Sequence, residues 1–320
     1  MIAVHENKVV QIQKELISEI ETQRKNALGN LKNIDADLFD TTEQKYLKYI
    51  IDLYQTKNLL VKTPKEIETL KKDPKLNNMP PNSRRNSDGR QLKGLKNFIL
   101  DSLNYKGLRS SFYPRYFHKI GIKACVYCNS VLTISTEKTK PRSIEYKGNF
   151  DVDHYHSKDD YPFLSIFLFN LYPSCAPCNR KKSKSNKIKF DLYSDDPKKV
   201  GSSQFKFQLD NGSKAKFLLT KNKEDLHFNF ISGTTGFQET FGIQQIYETQ
   251  KDVIEELIIK QHMYDKNNRI SLYNSFSKLN LHPDLYLRTL VGNYIKEQHI
   301  HKRPMSKFMQ DIARDLGIIN

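Results

Sequence analysis

All four cysteines of this chain fall in two Cys-x-x-Cys pairs, Cys125/Cys128 and Cys175/Cys178. A pair at this spacing lets two thiolates reach one ion from a tight turn, and two such knuckles complete a tetrahedral Zn²⁺ site. The 46 residues between the pairs exceed finger and ribbon spacings, so the loop they close must contain a folded element of its own. A dithiol redox role is the competing reading. It is disfavoured because both pairs are used symmetrically and neither sits in a βαβ context.

Inside that loop, Phe150 to Lys158 alternates like a strand, with Asp151 and Asp153 on one face and His154 and His156 on the other. Asn170-Leu171-Tyr172-Pro173-Ser174 then leads into the second knuckle, and Asn179-Arg180-Lys181-Lys182 follows it, where a helix can begin. Asp-His, then Asn, then Asn directly after Cys-x-x-Cys is the order of residues in the HNH nucleases. Residues 120–190 resemble the zinc-knuckle branch of that family, whose active site is a ββα-metal unit.

The resemblance implies a phosphodiester hydrolase, which needs an activated water, a metal to stabilise charge on phosphate and leaving oxygen, and fixed geometry. On the family's pattern, His154 is the general base. Asp153 and Asn179 hold a catalytic Mg²⁺ or Mn²⁺ through hard oxygen ligands, and Asn170 orients the loop and the His154 ring. Asn179 departs from the His often found at that position and is a weaker ligand for transition metals. His156 is a further catalytic candidate, as ligand, phosphate contact or plain structure, and Asp151 can act behind Asp153.

Arg180 to Lys189 holds six positive charges and no acid. Alone, such a run is a solvated face; directly after the expected metal ligand it is expected to track a phosphate backbone. Arg180, Lys181, Lys182 and Lys184 are the named contacts, and Lys158 is placed to touch the scissile phosphate. Nothing resembles base-edge readout by a recognition helix, so strong sequence specificity is not expected.

These residues need elements to hold them. Residues 1–72 read as helical, with Ile12, Leu16, Ile17 and Ile20 on one face and Leu47, Ile50, Ile51 and Tyr54 on another. Residues 73–92 read as a linker, poor in apolar residues and rich in Pro, Asn, Ser and Arg. A helix follows around Leu95 to Leu103, within a nuclease domain spanning 93–198. The region 199–320 begins with the alternation Phe205, Phe207, Leu209, then the turn Asp210-Asn211-Gly212 and an apolar run from Phe217, which predicts a β-hairpin. Helices follow: Ile243, Ile246, Tyr247, Ile254, Leu257 and Ile258 form one face. Pro283 and Pro304 stand where first turns can start, and Gly317 is a stop. The expected class is α+β: a central ββα-metal core with a four-cysteine zinc site between helical flanks.

With 320 residues and 52 Lys+Arg against 36 Asp+Glu, the chain is large enough for a real core and strongly basic. Residues 1–50 sum to −1, 51–189 to +15 and 190–320 to +2, so the excess lies around the knuckles. Within it, residues 151–160 form an acidic island, the pattern of a cation pocket in a polyanion-binding surface. The 18 Phe and 17 Tyr argue against disorder. The apolar stretch Tyr161 to Pro173 is too short to span a membrane, and the start of the chain reads as no signal peptide, so a cytoplasmic location is expected. DNA is the favoured partner. RNA cleavage and a non-catalytic zinc module that binds nucleic acid are the alternatives. A looser resemblance to HNH proteins of bacterial anti-phage systems, including the Septu type, implies an ATPase partner; the chain has no phosphate-binding loop motif, so that ATPase would be a separate subunit.

Overall fold

A computed structural model describes residues 1–141, 143–182, 188, 190–264 and 266–319. The protein is mixed α+β with helix dominant, and among the described residues the strands form four separate two-stranded sheets. The chain opens with β1 (Val4–His5), α1 (Glu6–Glu15) and α2 (Ile17–Lys32). The first periodic face spans both helices because the backbone breaks at Leu16, whose side chain stays buried. Asp40 and Glu43 form a capping box that starts α3 (Thr41–Tyr54), and Thr63 and Glu66 form another that starts α4 (Pro64–Lys71).

The segment expected as a linker is docked. Leu76 is buried, Asn82 Nδ2 donates to the Leu92 carbonyl (2.7 Å), and the Ser83 hydroxyl donates to the Glu43 carboxylate of α3. Arg84 lies over the rings of Phe39 and Phe98. Polar composition here marks local hydrogen bonding rather than a loose connection.

α5 (Leu95–Ser102), α6 (Tyr105–Ser111) and α7 (Tyr113–Ile120) lead to the first knuckle, and Gly121 ends α7 at φ +82°. An antiparallel ribbon follows, β2 (Ser135–Lys140) with β3 (Ser143–Gly148). Next comes β4 (Asp151–His154), paired antiparallel with β5 (Leu171–Ser174) in the register Asp153↔Tyr172, and then α8 (Ala176–Lys181). Two strands and a helix therefore carry Asp153, His154, Asn179 and the second knuckle. The strand is shorter than its alternation implied: pairing stops at His154, and the chain turns away after Tyr155 N donates to the Asn170 carbonyl (2.8 Å).

β6 (Tyr193–Ser194) pairs in parallel with β1, and the Tyr54 hydroxyl donates to the Phe163 carbonyl (2.8 Å). The N-terminal helices and the knuckle region thus share one hydrophobic core, which runs on into the C-terminal region. After α9 (Pro197–Gly201), β7 (Phe205–Leu209) does form a hairpin partner, though not with the expected run. Asp210 caps α10 (Asn211–Thr220) by accepting from Ser213 N (2.6 Å), so Phe217 lies on a helix. β7 instead pairs with β8 (Phe228–Ser232). The helices α11 (Phe237–Phe241), α12 (Ile243–Glu248), α13 (Lys251–Met263), α14 (Lys266–Lys278), α15 (Pro283–Val291) and α16 (Ser306–Asp315) complete the chain. Pro283 opens α15 as expected. Pro304 does not open α16: it precedes the N-cap residue Met305, which adopts φ +62°.

Candidate active site and metal centre

The four cysteines converge. Their sulfurs lie within 4.8 Å of one another, all are buried, and Cys128 Sγ stands 3.9 Å from Cys175 Sγ. Two of the sulfurs accept local hydrogen bonds: Cys175 N donates to Cys125 Sγ (3.3 Å) and the Ser130 hydroxyl to Cys128 Sγ (3.2 Å). The first knuckle turns through Asn129 at φ +53°, a conformation that asparagine tolerates, and Asn129 N donates to the Cys125 carbonyl (2.9 Å). Hydrogen bonds from Cys125, Cys175, Cys178 and Ser130 hold the Cys128 thiol low, while burial pushes Cys125 up. Four sulfurs at this spacing, supported by N–H and O–H donors, are compatible with a closed tetrahedral zinc site.

The first knuckle also reaches the second site. Tyr127, between its two cysteines, donates its hydroxyl to Asp153 Oδ2 (2.5 Å). Burial and the Asp153 charge push that phenol well above its usual range, so it remains a donor. Asp153 lies in a cleft of about 690 Å³ together with His154, His156, Lys158, Asn179 and Lys182. Residues as far apart in sequence as Asp153 and Lys182 are gathered there by β4, the turn after it, and α8.

His154 is buried, and its Nε2 lies 3.0 Å from the Ser165 carbonyl. A carbonyl can only accept, so Nε2 carries the proton and Nδ1 holds the lone pair. Burial pushes the His154 imidazolium down to about 4, with the Ser165 carbonyl and Asp153 opposing it, so the ring is neutral at pH 7. The ring packs on Tyr105 (centroids 4.7 Å), whose hydroxyl donates to the Val152 carbonyl (2.7 Å).

Asn170 holds the loop but not the ring. Its Oδ1 accepts from His156 N (2.7 Å), and its Nδ2 donates to the carbonyls of His156 (3.2 Å) and Leu164 (3.0 Å). The ring is fixed by Ser165 instead, because the chain from Pro162 curls that carbonyl beneath it. His156 sits beside the same cleft with its Nε2 3.0 Å from Glu68 of α4, an interaction between distant segments.

Asp153 and Asn179 line one cleft but are engaged separately. Lys182 Nζ is held by Asp153 Oδ2 (2.5 Å), the His154 carbonyl (2.9 Å) and the Tyr127 hydroxyl (3.1 Å). Asn179 Nδ2 donates to Asp151 Oδ2 (3.1 Å), and Asp151 also pairs with Arg109 (2.9 Å). Among the described residues, the four cysteines are the one group of three or more Cys, His or carboxylate ligands. By chemistry alone, a carboxylate and an amide oxygen are donor types that suit a hard cation such as Mg²⁺. An ammonium already sits among three oxygens at Asp153.

The expected phosphate contacts divide. Lys158 lines the cleft, with its ammonium over the Tyr105 ring (5.1 Å). Arg180 is exposed at the end of α8. Lys181 is exposed but its ammonium donates to the Phe241 carbonyl (3.0 Å), and Lys182 is largely buried on Asp153, so Lys182 is not presented as a surface contact. Lys184 lies outside the described residues. Sequence reasoning missed Tyr127, Tyr105, Arg109, Ser165 and Lys71, all of which touch or line the site. No local pattern marks them, since each is recruited across the fold. Comparison of the chain with family models, with curated proteins and with solved structures finds no match.

Proposed function

We propose that this chain is a metal-dependent endonuclease of the HNH kind, a hydrolase of phosphodiester bonds that acts on DNA. The carrying observation is the His154 ring: buried, neutral, fixed through Nε2, and set by a strand–strand–helix unit in one cleft with Asp153 and Asn179. In this reading His154 Nδ1 takes the proton from the attacking water, and its fixed orientation lowers the entropic cost of that step. Asp153 and Asn179 hold the divalent ion, which supplies charge stabilisation at the phosphate and the leaving oxygen. Arg109 and Lys158, on opposite sides of His154 in sequence, offer cations to the phosphate from the cleft wall. The cysteine centre holds zinc and, through Tyr127, aims Asp153.

A plasmid-nicking assay with Mg²⁺ or Mn²⁺ tests this. His154→Ala is expected to lose roughly 10²–10⁴-fold in rate while keeping its zinc and a cooperative unfolding transition. Equal cleavage by both proteins would remove the assigned mechanism. Parallel assays on single-stranded RNA and DNA decide the substrate. A second reading, a zinc module that binds without cutting, draws on the saturation of Asp153 by Lys182; it expects salt-dependent binding and no product with either metal. A place in an anti-phage system beside a separate ATPase is proposed on the resemblance alone. Its test is recovery of an ATPase with the tagged chain from its native locus.

A further inference from the structure

The β2–β3 ribbon adds almost nothing to the core. From Thr136 to Glu145 every described residue is exposed, and Tyr146 and Gly148 are only half-buried. Isolated two-stranded ribbons are marginal in water, so an excursion of this kind must be supported elsewhere. Both ends are anchored. Before it, Cys125 N donates to the Val131 carbonyl (2.9 Å) and Thr133 N to the Lys123 carbonyl (3.0 Å), tying it to the cysteine centre. After it, only Asn149 and Phe150 separate β3 from the strand that carries Asp153 and His154.

Its two faces differ. The register pairs Thr136 with Lys147, Lys138 with Glu145, and Lys140 with Ser143, so these six share one face. The opposite face carries Glu137, Thr139, Ile144 and Tyr146. Tyr146 packs on His118 of α7 (centroids 5.3 Å), and Glu137 lies 3.7 Å from the same imidazole. The anchored face therefore takes one carboxylate, and the open face presents Lys138, Lys140 and Lys147 against Glu145. Glu145 pairs with Lys140 (2.9 Å); Lys138 and Lys147 have no ion pair among the described residues.

We propose that this ribbon is a second nucleic-acid contact, one that lies along double-stranded DNA beside the cut. The inference rests on the nuclease reading and names the form of its substrate. A two-stranded ribbon fits the major groove of B-DNA. Six residues at ~3.3 Å each extend about 20 Å, or about six base pairs of duplex. The basic open face meets phosphates, and the rigid anchors transmit the duplex position to β4. In the basic region following the second knuckle, Lys182 is buried on Asp153, and the ammonium of the exposed Lys181 is held by the Phe241 carbonyl.

The test uses the full chain with His154→Ala, which prevents cleavage, and compares it with the same protein carrying Lys138→Ala, Lys140→Ala and Lys147→Ala. Binding to a labelled duplex of about three helical turns and to the matching single strand is followed by anisotropy as salt rises. Each lost phosphate contact removes about 0.9 from the log–log salt slope, so the duplex slope is expected to fall by about 2 to 3. Duplex affinity is expected to fall on the order of 10²-fold at ~0.15 M salt, with single-strand binding little changed. Unchanged zinc content and unfolding midpoint confirm that the fold is kept. An unchanged duplex slope overturns the proposal and leaves the nuclease reading standing. Equal losses on both substrates overturn the duplex assignment. No duplex binding by the parent overturns the nuclease reading on DNA, and this inference with it.

Discussion

The two sites of this protein lie one tyrosine apart and are built on opposite principles. The cysteine centre is closed: four ligand atoms, all from the chain, converge in the core with hydrogen-bond donors behind them. The cleft is open, and its groups are held by competing partners: Asp153 by Lys182, Asn179 by Asp151, and His154 by a carbonyl. A structural metal site takes all its ligands from the chain, and its binding energy is folding energy. An open cleft leaves room for an incoming molecule, and the polar groups of this one are meanwhile satisfied by partners within the chain. Tyr127 joins the two, so the closed site sets the position of a residue in the open one.

The largest effect expected from this contrast comes from breaking the closed site. Cys175→Ser, or stripping the metal, is expected to cost on the order of 10 kcal/mol at the knuckles. The variant should be recovered zinc-free and at least partly unfolded, with its cleft lost as well. Metal analysis with a thermal melt decides this; a stable, fully folded Cys175→Ser chain would show that the centre does not hold the fold.

A smaller effect is expected at Lys182, whose side chain and that of Asp153 are each about nine-tenths buried. Removing one partner of such a pair leaves a buried charge, so Lys182→Met should lose about 3 kcal/mol in denaturant unfolding. Mn²⁺ should then raise the stability of Lys182→Met more than that of wild type, since a cation is returned to Asp153. Equal metal responses would mean that the ammonium and the divalent ion do not share that carboxylate.

The smallest effect at neutral pH, one that grows only on acidification, lies outside both sites. His301 is buried with Nε2 2.7 Å from the Ile2 carbonyl and no partner at Nδ1, and burial pushes it down to about 4. The unfolded chain takes up a proton below pH ~6.5 that the folded chain refuses. Its contribution is therefore complete above pH ~6.5 and falls by about 1.4 kcal/mol per unit toward pH 4, about 3 kcal/mol in all. His154 titrates in the same direction. His301→Gln should roughly halve the slope of unfolding free energy against pH in that window; an unaltered slope would assign it to other groups.

What was legible depended on distance along the chain. The two knuckles, the helix faces at Leu47 to Tyr54 and at Ile254 to Ile258, and the start of α15 were readable because spacing and capping are local. The hairpin from Phe205 was half readable: β7 was visible, but its partner lay beyond a helix that one aspartate, Asp210, could cap. The docked segment after residue 73 looked like a linker because its partners, Glu43, Phe39 and Phe98, lie outside it.

The same division holds at the sites. By itself the sequence set four thiols in two knuckles able to close on one ion, because knuckle spacing is a short-range rule, while the grouping of Asp153, His154, Asn170 and Asn179 was what the family resemblance implied. Only the tertiary structure decided which nitrogen of His154 stays basic, that Lys182 occupies Asp153, and that Tyr127, Arg109 and Tyr105 complete the cleft. Those outcomes depend on burial and on partners from remote segments. Neither quantity is carried by the order of residues near the site; both arise when the core closes.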